Sequence, residues 1–391
     1  MNPTASHEHK KNIVIVGGGF GGSYLARKLS KCVPKTHRVV LVEKKTHFSY
    51  SYAIPRYSVL QGIEDHLFIP YEQLLEGDDN IVVHSEVECI QEHHVVLKTN
   101  QIVHFDYLVI ATGARLTLRM WDVASHQIES GRNWLRDIQK SINKSSDIVI
   151  VGGGAYGIQT ATDIKDFYPQ KSVTLVHSRP HLMNRFKSSL HEVVMKSLLD
   201  QGIRVILNDR VIIPPGGFSG QDSTTVTTKN GDQINADFVL LCGGQTPLSE
   251  TLLQLAPDCV DAESKEIKVE PTLQIANCQY NHIFAIGDVA DTGAQKLAAY
   301  SCNQGDIVIQ NILALIDSKE SDLKTYIPDS DYIKLTLGLK KYVIYKNDGQ
   351  DITLKHDGVQ NIHLKWIWEF LGADWNKHWS DDYKKVIEHY F

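Results

Sequence analysis

DIVIVGGGAYGIQ, residues 147–159, nearly repeats NIVIVGGGFGGSY, residues 12–24. Each copy runs from a β-branched segment (Ile13 to Val16; Ile148 to Val151) through glycines into a helical pattern, which reads as strand, tight turn, helix. Gly17, Gly19 and Gly22 fit G-x-G-x-x-G in the first copy, where Phe20 and Gly21 fill the remaining cradle positions. Gly152, Gly154 and Gly157 fit it in the second. The glycines divide the work: one makes the turn, one lets backbone approach a pyrophosphate, and one lets helix pack on strand. The helix start then offers unpaired N–H groups to the phosphates.

The surroundings of the fingerprint repeat too. HRVVLVEKK, residues 37–45, is a second strand ending in Glu43, with Lys44 beside it. A carboxylate about 20 residues beyond the last glycine accepts the hydroxyls of an adenosine ribose. In the second copy KSVTLVHSRP, residues 171–180, puts His177 in the place of the acid and Arg179 two residues on. An acid repels a 2′-phosphate and a neutral or cationic side chain does not, so the second site is expected to accept NADPH as well as NADH.

HFDYLVIATG (residues 104–113) precedes the second copy and NADFVLLCGG (residues 235–244) closes it, which marks an internal duplication. Before each closing strand a polar alternating stretch, VHSEVECIQEHHVVLKTNQ (83–101) or TTVTTKNGDQ (224–233), reads as an antiparallel crossover, with a hairpin turn at KNGD. HIFAIGDVAD, residues 282–291, distinguishes a flavin site from a second nicotinamide site. Its glycine and Asp288 are expected beside the ribityl chain and pyrophosphate of FAD, with a helix from Gln295 to Leu315 aimed at the isoalloxazine.

Composition narrows the classes. At 391 residues, 42% hydrophobic and 22% charged, the chain is an ordinary globular one that can bury two or three cores. A net charge of −6 without a basic patch excludes a general attraction to nucleic acid. The six cysteines lie far apart with no C-x-x-C, which leaves neither a redox pair nor half a zinc site, and no metal is expected. Cys242 and Cys302 neighbour the motifs, but nothing marks either as activated. MNPTASHEHKK lacks the apolar core of a secretory signal, and no run reaches transmembrane length. A cytoplasmic protein is expected, with a peripheral place on an organelle membrane as the alternative.

These motifs resemble those of the flavoprotein oxidoreductases with two dinucleotide-binding domains, in the pyridine nucleotide-disulfide oxidoreductase superfamily. IVIVGGGFGG, LVIATG, VGGGAYGIQTATDIKDFYPQKSVTLVHS and FAIGDVAD with KLAAY are most similar to the apoptosis-inducing-factor-like branch that includes the ferroptosis suppressors, with type II NADH dehydrogenases as cousins. The resemblance implies an α/β fold of two Rossmann-like, three-layer ββα domains and a small α+β C-terminal domain. FAD would be held by residues 1–115 and 245–325, NAD(P)H by 116–244, and 326–391 would form the third domain.

The resemblance further implies hydride transfer from NAD(P)H to flavin and on to a quinone. Gly17, Gly19, Gly22, Glu43, Thr112, Gly113 and Asp288 would bind FAD, and Gly152, Gly154 and Gly157 would bind NAD(P)H. Lys296 would lie close to the flavin. Gln159 replaces a glutamate that commonly stands near nicotinamide and flavin, and Gln304, in Asn303-Gln304-Gly305, matches a segment lining the quinone side. Two alternatives stay open: a flavoenzyme acting on a small metabolite, and a redox sensor with slow turnover. In YSYAIPRYSVLQG, residues 50–62, Tyr50, Tyr52, Arg56 and Tyr57 could line a pocket, though packing is the better expectation. The segment from 361 to 391 holds four of the six tryptophans, Trp366, Trp368, Trp375 and Trp379. Its four lysines and five acids give no attraction to anionic lipid, so packing on the body or across a homodimer is favoured over membrane contact.

Overall fold

Ile13 to Val16 form a continuous apolar run buried on both faces, the signature of a central parallel strand. That strand, β1 (Lys11–Val16), turns into α1 (Phe20–Cys32) and returns as β2 (His37–Glu43), parallel to β1 with Ile13 opposite Val39. The computed structural model describes residues 10–116, 126–218, 223–328, 330–346, 352–355 and 362–374. β3 (Ile81–His84) adds outside β2, and β4 (Tyr107–Ile110) pairs with the free side of β1. Between them Val87–Ile90, His94–Leu97 and Ile102–His104 make an antiparallel meander.

The two faces of this sheet bury different partners. Ile13, Ile15, Val39 and Leu41 share a core with Leu25, Ala26 and Leu29 of α1. Val14, Val16, Val40 and Val42 pack instead with Val87, Ile90, Val95 and Leu97 of the meander. Alternation along each strand thus builds three layers: meander, sheet, helices.

The duplicate follows. After α2 (Ile128–Lys144) come β5 (Asp147–Val151), α3 (Ala155–Phe167), β6 (Ser172–Val176), α4 (Ser188–Asp200), β7 (Arg204–Ile206) and β8 (Phe238–Leu241). All four strands are parallel in the order β7-β6-β5-β8, matching β3-β2-β1-β4. A hairpin, Thr224–Thr227 with Gln233–Ala236, stands where the first unit has its meander and turns at the KNGD stretch.

Two antiparallel segments, Ala114–Leu116 and Gln245–Pro247, carry the chain out to this second sheet and back, with Arg115 opposite Thr246. β9 (Ile283–Ala285) then completes the first sheet, in the order β9-β4-β1-β2-β3, and α5 (Ala298–Ile316) packs against α1. The helix begins at Ala298 rather than at Gln295, because Leu297 is extended and the preceding residues are tied elsewhere.

β10 (Tyr332–Thr336), β11 (Tyr342–Lys346) and β12 (Ile352–Lys355) form an antiparallel sheet, followed by α6 (Leu364–Phe370). Strands and helix are there as expected for a small α+β unit, but their buried side chains join existing cores. Ile333, Leu335, Val343 and Tyr345 pack into the second unit, whereas Leu364, Ile367 and Trp368 pack into the first.

Candidate functional site: two nucleotide cradles

Both cradles open at the carboxyl ends of their central strands, where sheet gives way to helix. Gly17 takes φ +105°, and a Cβ there would lie 2.3 Å from the Ala111 carbonyl oxygen; one at Gly22 would lie 1.9 Å from the Gly17 oxygen. Gly19 is different, since a Cβ there meets nothing of the protein within 4 Å. The pattern recurs at Gly152 (2.8 Å from Cys242 O), Gly157 (1.9 Å from Gly152 O) and Gly154 (nothing within 4 Å). Two crowded glycines flanking an open one fit a pyrophosphate lying against the helix start. Gly21 instead faces α5, where a Cβ would stand 3.0 Å from the Ser301 Cβ, and Phe20 packs edge-on against Phe48 with ring centres 5.0 Å apart.

Glu43 is half-buried at the end of β2. Its Oε2 accepts the Gly18 N–H at 2.6 Å and its Oε1 the Lys45 N–H at 2.9 Å. A carboxylate has about four acceptor positions, so capacity remains for ribose hydroxyls. Lys44, next along, is half-buried as well. The Tyr71 hydroxyl donates to the Gly18 carbonyl at 2.7 Å, and burial, helped by the Glu43 charge, holds that phenol well above its ordinary pKa. Sequence reasoning missed Tyr71, since nothing local ties it to a glycine far back along the chain.

His177 takes the corresponding place in the second cradle. Its Nδ1 accepts the Gly153 N–H at 3.0 Å while its Nε2 faces the His181 carbonyl at 3.1 Å, an arrangement that assigns the neutral Nε2–H tautomer. Burial first, then the charges of Arg179 and His191, push its pKa below the usual histidine value, against the His181 hydrogen bond. Arg179 is exposed and forms no ion pair among the described residues.

Asp288 lies half-buried in the turn after β9, and burial pushes its carboxyl above the usual range against the charges of Lys296 and Arg185. Gln304 braces that turn from below: its Oε1 accepts the Gly287 N–H at 2.8 Å and its Nε2 donates to Thr292 Oγ1 at 3.0 Å. At 2% exposure, Gln304 has both ends of its amide committed to the turn. Lys296 pairs with Glu266 at 2.9 Å and donates to the Ala290 carbonyl at 2.6 Å. Thr112 Oγ1 donates to the Leu248 carbonyl at 2.6 Å and the Gly113 carbonyl accepts the Leu248 N–H at 2.9 Å, where the crossing segments meet.

Gln159 is buried on α3, with its Nε2 donating to Thr336 Oγ1 at 2.9 Å on β10. The aromatic stretch 50–62 packs, as favoured: Tyr57 is fully buried, the Tyr50 hydroxyl donates to the Ile362 carbonyl at 2.8 Å, and Arg56 is ion-paired.

Comparison with known proteins gives the frame for this geometry. Residues 11–305 match the pyridine nucleotide-disulphide oxidoreductase family. The chain belongs to that family. Fe-regulated protein 8 of Mycosarcoma maydis is 36% identical, covering 93% of this chain and 96% of that one. Ferroptosis suppressor protein 1 of Taeniopygia guttata is 32% identical, covering 89% and 90%. In fold, the chain is similar to the sulfide:quinone oxidoreductase of Aquifex aeolicus, with a TM-score of 0.73, 18% identity, and 97% and 95% of the two chains covered.

As a member of the pyridine nucleotide-disulphide oxidoreductases, the chain is an NAD(P)H-dependent flavoprotein whose cofactors are FAD and NAD(P)H. In the C-terminal segment, Trp368 is buried and its indole N–H donates to the His66 carbonyl at 2.9 Å. Trp366 is 55% exposed and stacks on Phe370, with centres 5.3 Å apart. Trp375 and Trp379 lie outside the described residues. No helix among the described residues is long and apolar enough to cross a membrane.

Proposed function

We propose that the chain is an FAD-dependent NAD(P)H oxidoreductase that delivers electrons to a quinone. The observation that carries this is the pair of matched cradles, one closed by Glu43 and the other by His177, on two sheets of the same strand order. In this reading residues 1–115 and 245–325 hold FAD, 116–244 hold NAD(P)H, and 326–391 form a C-terminal α+β domain. Gly17, Gly19 and Gly22 seat the FAD pyrophosphate, Glu43 its ribose, and Asp288 its ribityl side, while Gly152, Gly154 and Gly157 seat that of NAD(P)H.

When bound, FAD supplies the hydride acceptance and the onward electron transfer. The protein's own part is binding and alignment. Gln304 holds the Asp288 turn through Gly287, and Lys296 anchors the approach to α5 through Glu266. Neither exposes a free acid or base, so these residues position rather than exchange protons. Quinone as acceptor is supported by the fold shared with a sulfide:quinone oxidoreductase, and the sequence carries no C-x-x-C motif of the kind that serves disulphide chemistry.

The second cradle is suited to NADPH. His177 occupies the Gly153 N–H without bringing a negative charge, and exposed Arg179 is the cation for a 2′-phosphate.

Anaerobic mixing of the yellow protein with NADH or NADPH, followed by a short-chain ubiquinone, tests the whole reading. Bleaching followed by prompt return of colour is the expected result. Bleaching with no return would exclude quinone, and no bleaching by either nucleotide would exclude the oxidoreductase assignment of the second cradle.

A further inference from the structure

The stretch 50–62 belongs to neither nucleotide unit alone. Ala53, Tyr57 and Leu60 are buried in the first core, whereas Ile54 and Val59 are buried in the second. Between these two faces sits Arg56, 1% exposed. Its Nε donates to Asp163 Oδ2 at 2.9 Å, its Nη2 to the Gly338 carbonyl at 2.9 Å, and its Nη1 reaches the Leu339 carbonyl at 3.4 Å. Asp163 lies on α3, the helix whose start forms the second cradle, and Gly338 and Leu339 are in the turn between β10 and β11. One guanidinium therefore touches all three parts of the molecule.

Its neighbours reinforce the junction. Gln159 donates to Thr336 one turn before Asp163, Asp166 Oδ2 accepts the Leu339 N–H at 2.8 Å, and Gln139 Nε2 donates to the Tyr57 and Leu60 carbonyls at 2.8 and 2.9 Å.

Stability does not account for this arrangement. Burying both charges carries a desolvation penalty that their attraction barely offsets, and apolar replacements of such pairs are often neutral or better. Asp163 Oδ1 has no partner among the described residues, so the carboxylate is only half-served. What directional bonds add over apolar contact is a fixed angle. The crossing segments Ala114–Leu116 and Gln245–Pro247 form only a two-stranded ribbon, so the angle between the units rests on contacts outside it, the apolar ones of Ile54 and Val59 and the directional ones of Arg56.

We propose that Arg56 is a positioning residue that sets the angle between the two nucleotide cradles, holding hydride donor and acceptor in register. This rests on the oxidoreductase reading above. Reacting atoms must come within about 3–3.5 Å, and a misplacement of about 1 Å lowers the rate about 100-fold.

The test uses the full-length, FAD-loaded protein with Arg56→Lys, Arg56→Met and the double variant Arg56→Met/Asp163→Leu. Two quantities are measured: flavin reduction in single turnover against nucleotide affinity, and, independently of activity, the distance distribution between spin labels. The labels are attached to cysteines introduced at Lys35 and Lys196, with Cys32 and Cys278 replaced by serine. Arg56→Met is expected to slow reduction about 100-fold with nucleotide affinity changed less than about twofold, and to broaden the distribution. Arg56→Lys keeps one directional charge and is expected to recover part of the rate. The double variant is expected to melt at the wild-type temperature yet remain slow and broad. A double variant as fast and as narrow as wild type would reduce Arg56 to packing and overturn the proposal. Wild-type flavin that neither nucleotide reduces would overturn the oxidoreductase reading and this proposal with it, whereas a normal rate in Arg56→Met would overturn this proposal alone.

Discussion

His177 holds the Gly153 N–H on its Nδ1 at 3.0 Å, in the slot where Glu43 holds the Gly18 N–H on its Oε2 at 2.6 Å. An imidazole and a carboxylate thus brace the same peptide in the two halves of the duplication. The difference between them is charge, and under the proposed function charge at this point decides which nucleotide is tolerated. His177→Glu is expected to raise KM for NADPH about 100-fold while leaving NADH nearly unchanged, and Arg179→Ala to raise KM for NADPH about tenfold. Steady-state kinetics with both nucleotides checks this; equal effects on NADH and NADPH would show that neither residue meets the 2′-phosphate.

The same bond gives a pH dependence. Nδ1 can accept from Gly153 only while it carries no proton, and the His177 pKa is lowered from the ordinary value of about 6.5. A lowered folded-state pKa means stability that is present above the unfolded value and is lost as pH falls through the folded one. Nucleotide affinity is therefore expected to hold through the ordinary histidine range and to decline only as pH falls through the lowered folded-state value. His191 accepts the Leu182 N–H at 3.0 Å and has its pKa lowered too, so both histidines contribute. His177→Asn, which keeps an acceptor and cannot titrate, should flatten part of the decline when binding is measured from pH 5 to 8. An unchanged profile would remove His177 from the account.

The glycines separate folding from binding. Gly22→Ala forces a Cβ against the Gly17 carbonyl oxygen and is expected to leave little folded protein. Gly19→Ala meets no protein atom, so the apoprotein should melt normally and bind FAD at least about tenfold more weakly. Gly154→Ala should give a yellow, stable protein with weak NAD(P)H binding. Calorimetry of apo and loaded forms tells these apart, and a Gly19→Ala protein with full FAD affinity would contradict the cradle.

Gln159→Glu should not improve the enzyme. The side chain is 3% exposed, bonded to Thr336, and one helical turn from Asp163. A second buried carboxylate on that face is expected to cost about 3 kcal/mol at neutral pH. Burial raises the pKa of such an acid, so the loss should shrink as pH falls through the raised value, where the folded form takes up the proton. Denaturant unfolding at pH 5 and pH 8 measures this. Faster flavin reduction by Gln159→Glu would show that the amide faces nicotinamide after all.

The duplication was legible because its causes are local. A strand, a positive-φ glycine and a glycine that cannot carry a Cβ all fall within about a dozen residues, and they recur with the same neighbours. Glu43 and His177 were legible as a matched pair for the same reason. Tyr71 beneath Gly18, Thr336 beneath Gln159 and Asp163 against Arg56 were not, because hydrophobic period carries no information about which distant side chain meets which. Lys296 and Gln304 were placed by resemblance near the chemistry, and their hydrogen bonds tie them to Glu266 and to the Gly287 turn. The tryptophan-rich tail was read as packing on the body, and Trp368 does so as a core residue, whereas Trp366 stays at the surface.

The crossing segments have a consequence for how such a chain can change over time. Arg115 leaves the first unit directly opposite the point where Thr246 re-enters it. Everything between these two residues is, topologically, a loop with adjacent ends. Its fold can be exchanged for another nucleotide-binding module without rethreading the host, provided the newcomer presents a partner for Arg56 and an apolar face for Ile54, Val59 and the strands β10 and β11. The second unit is in that sense a cassette, and the buried guanidinium is its key.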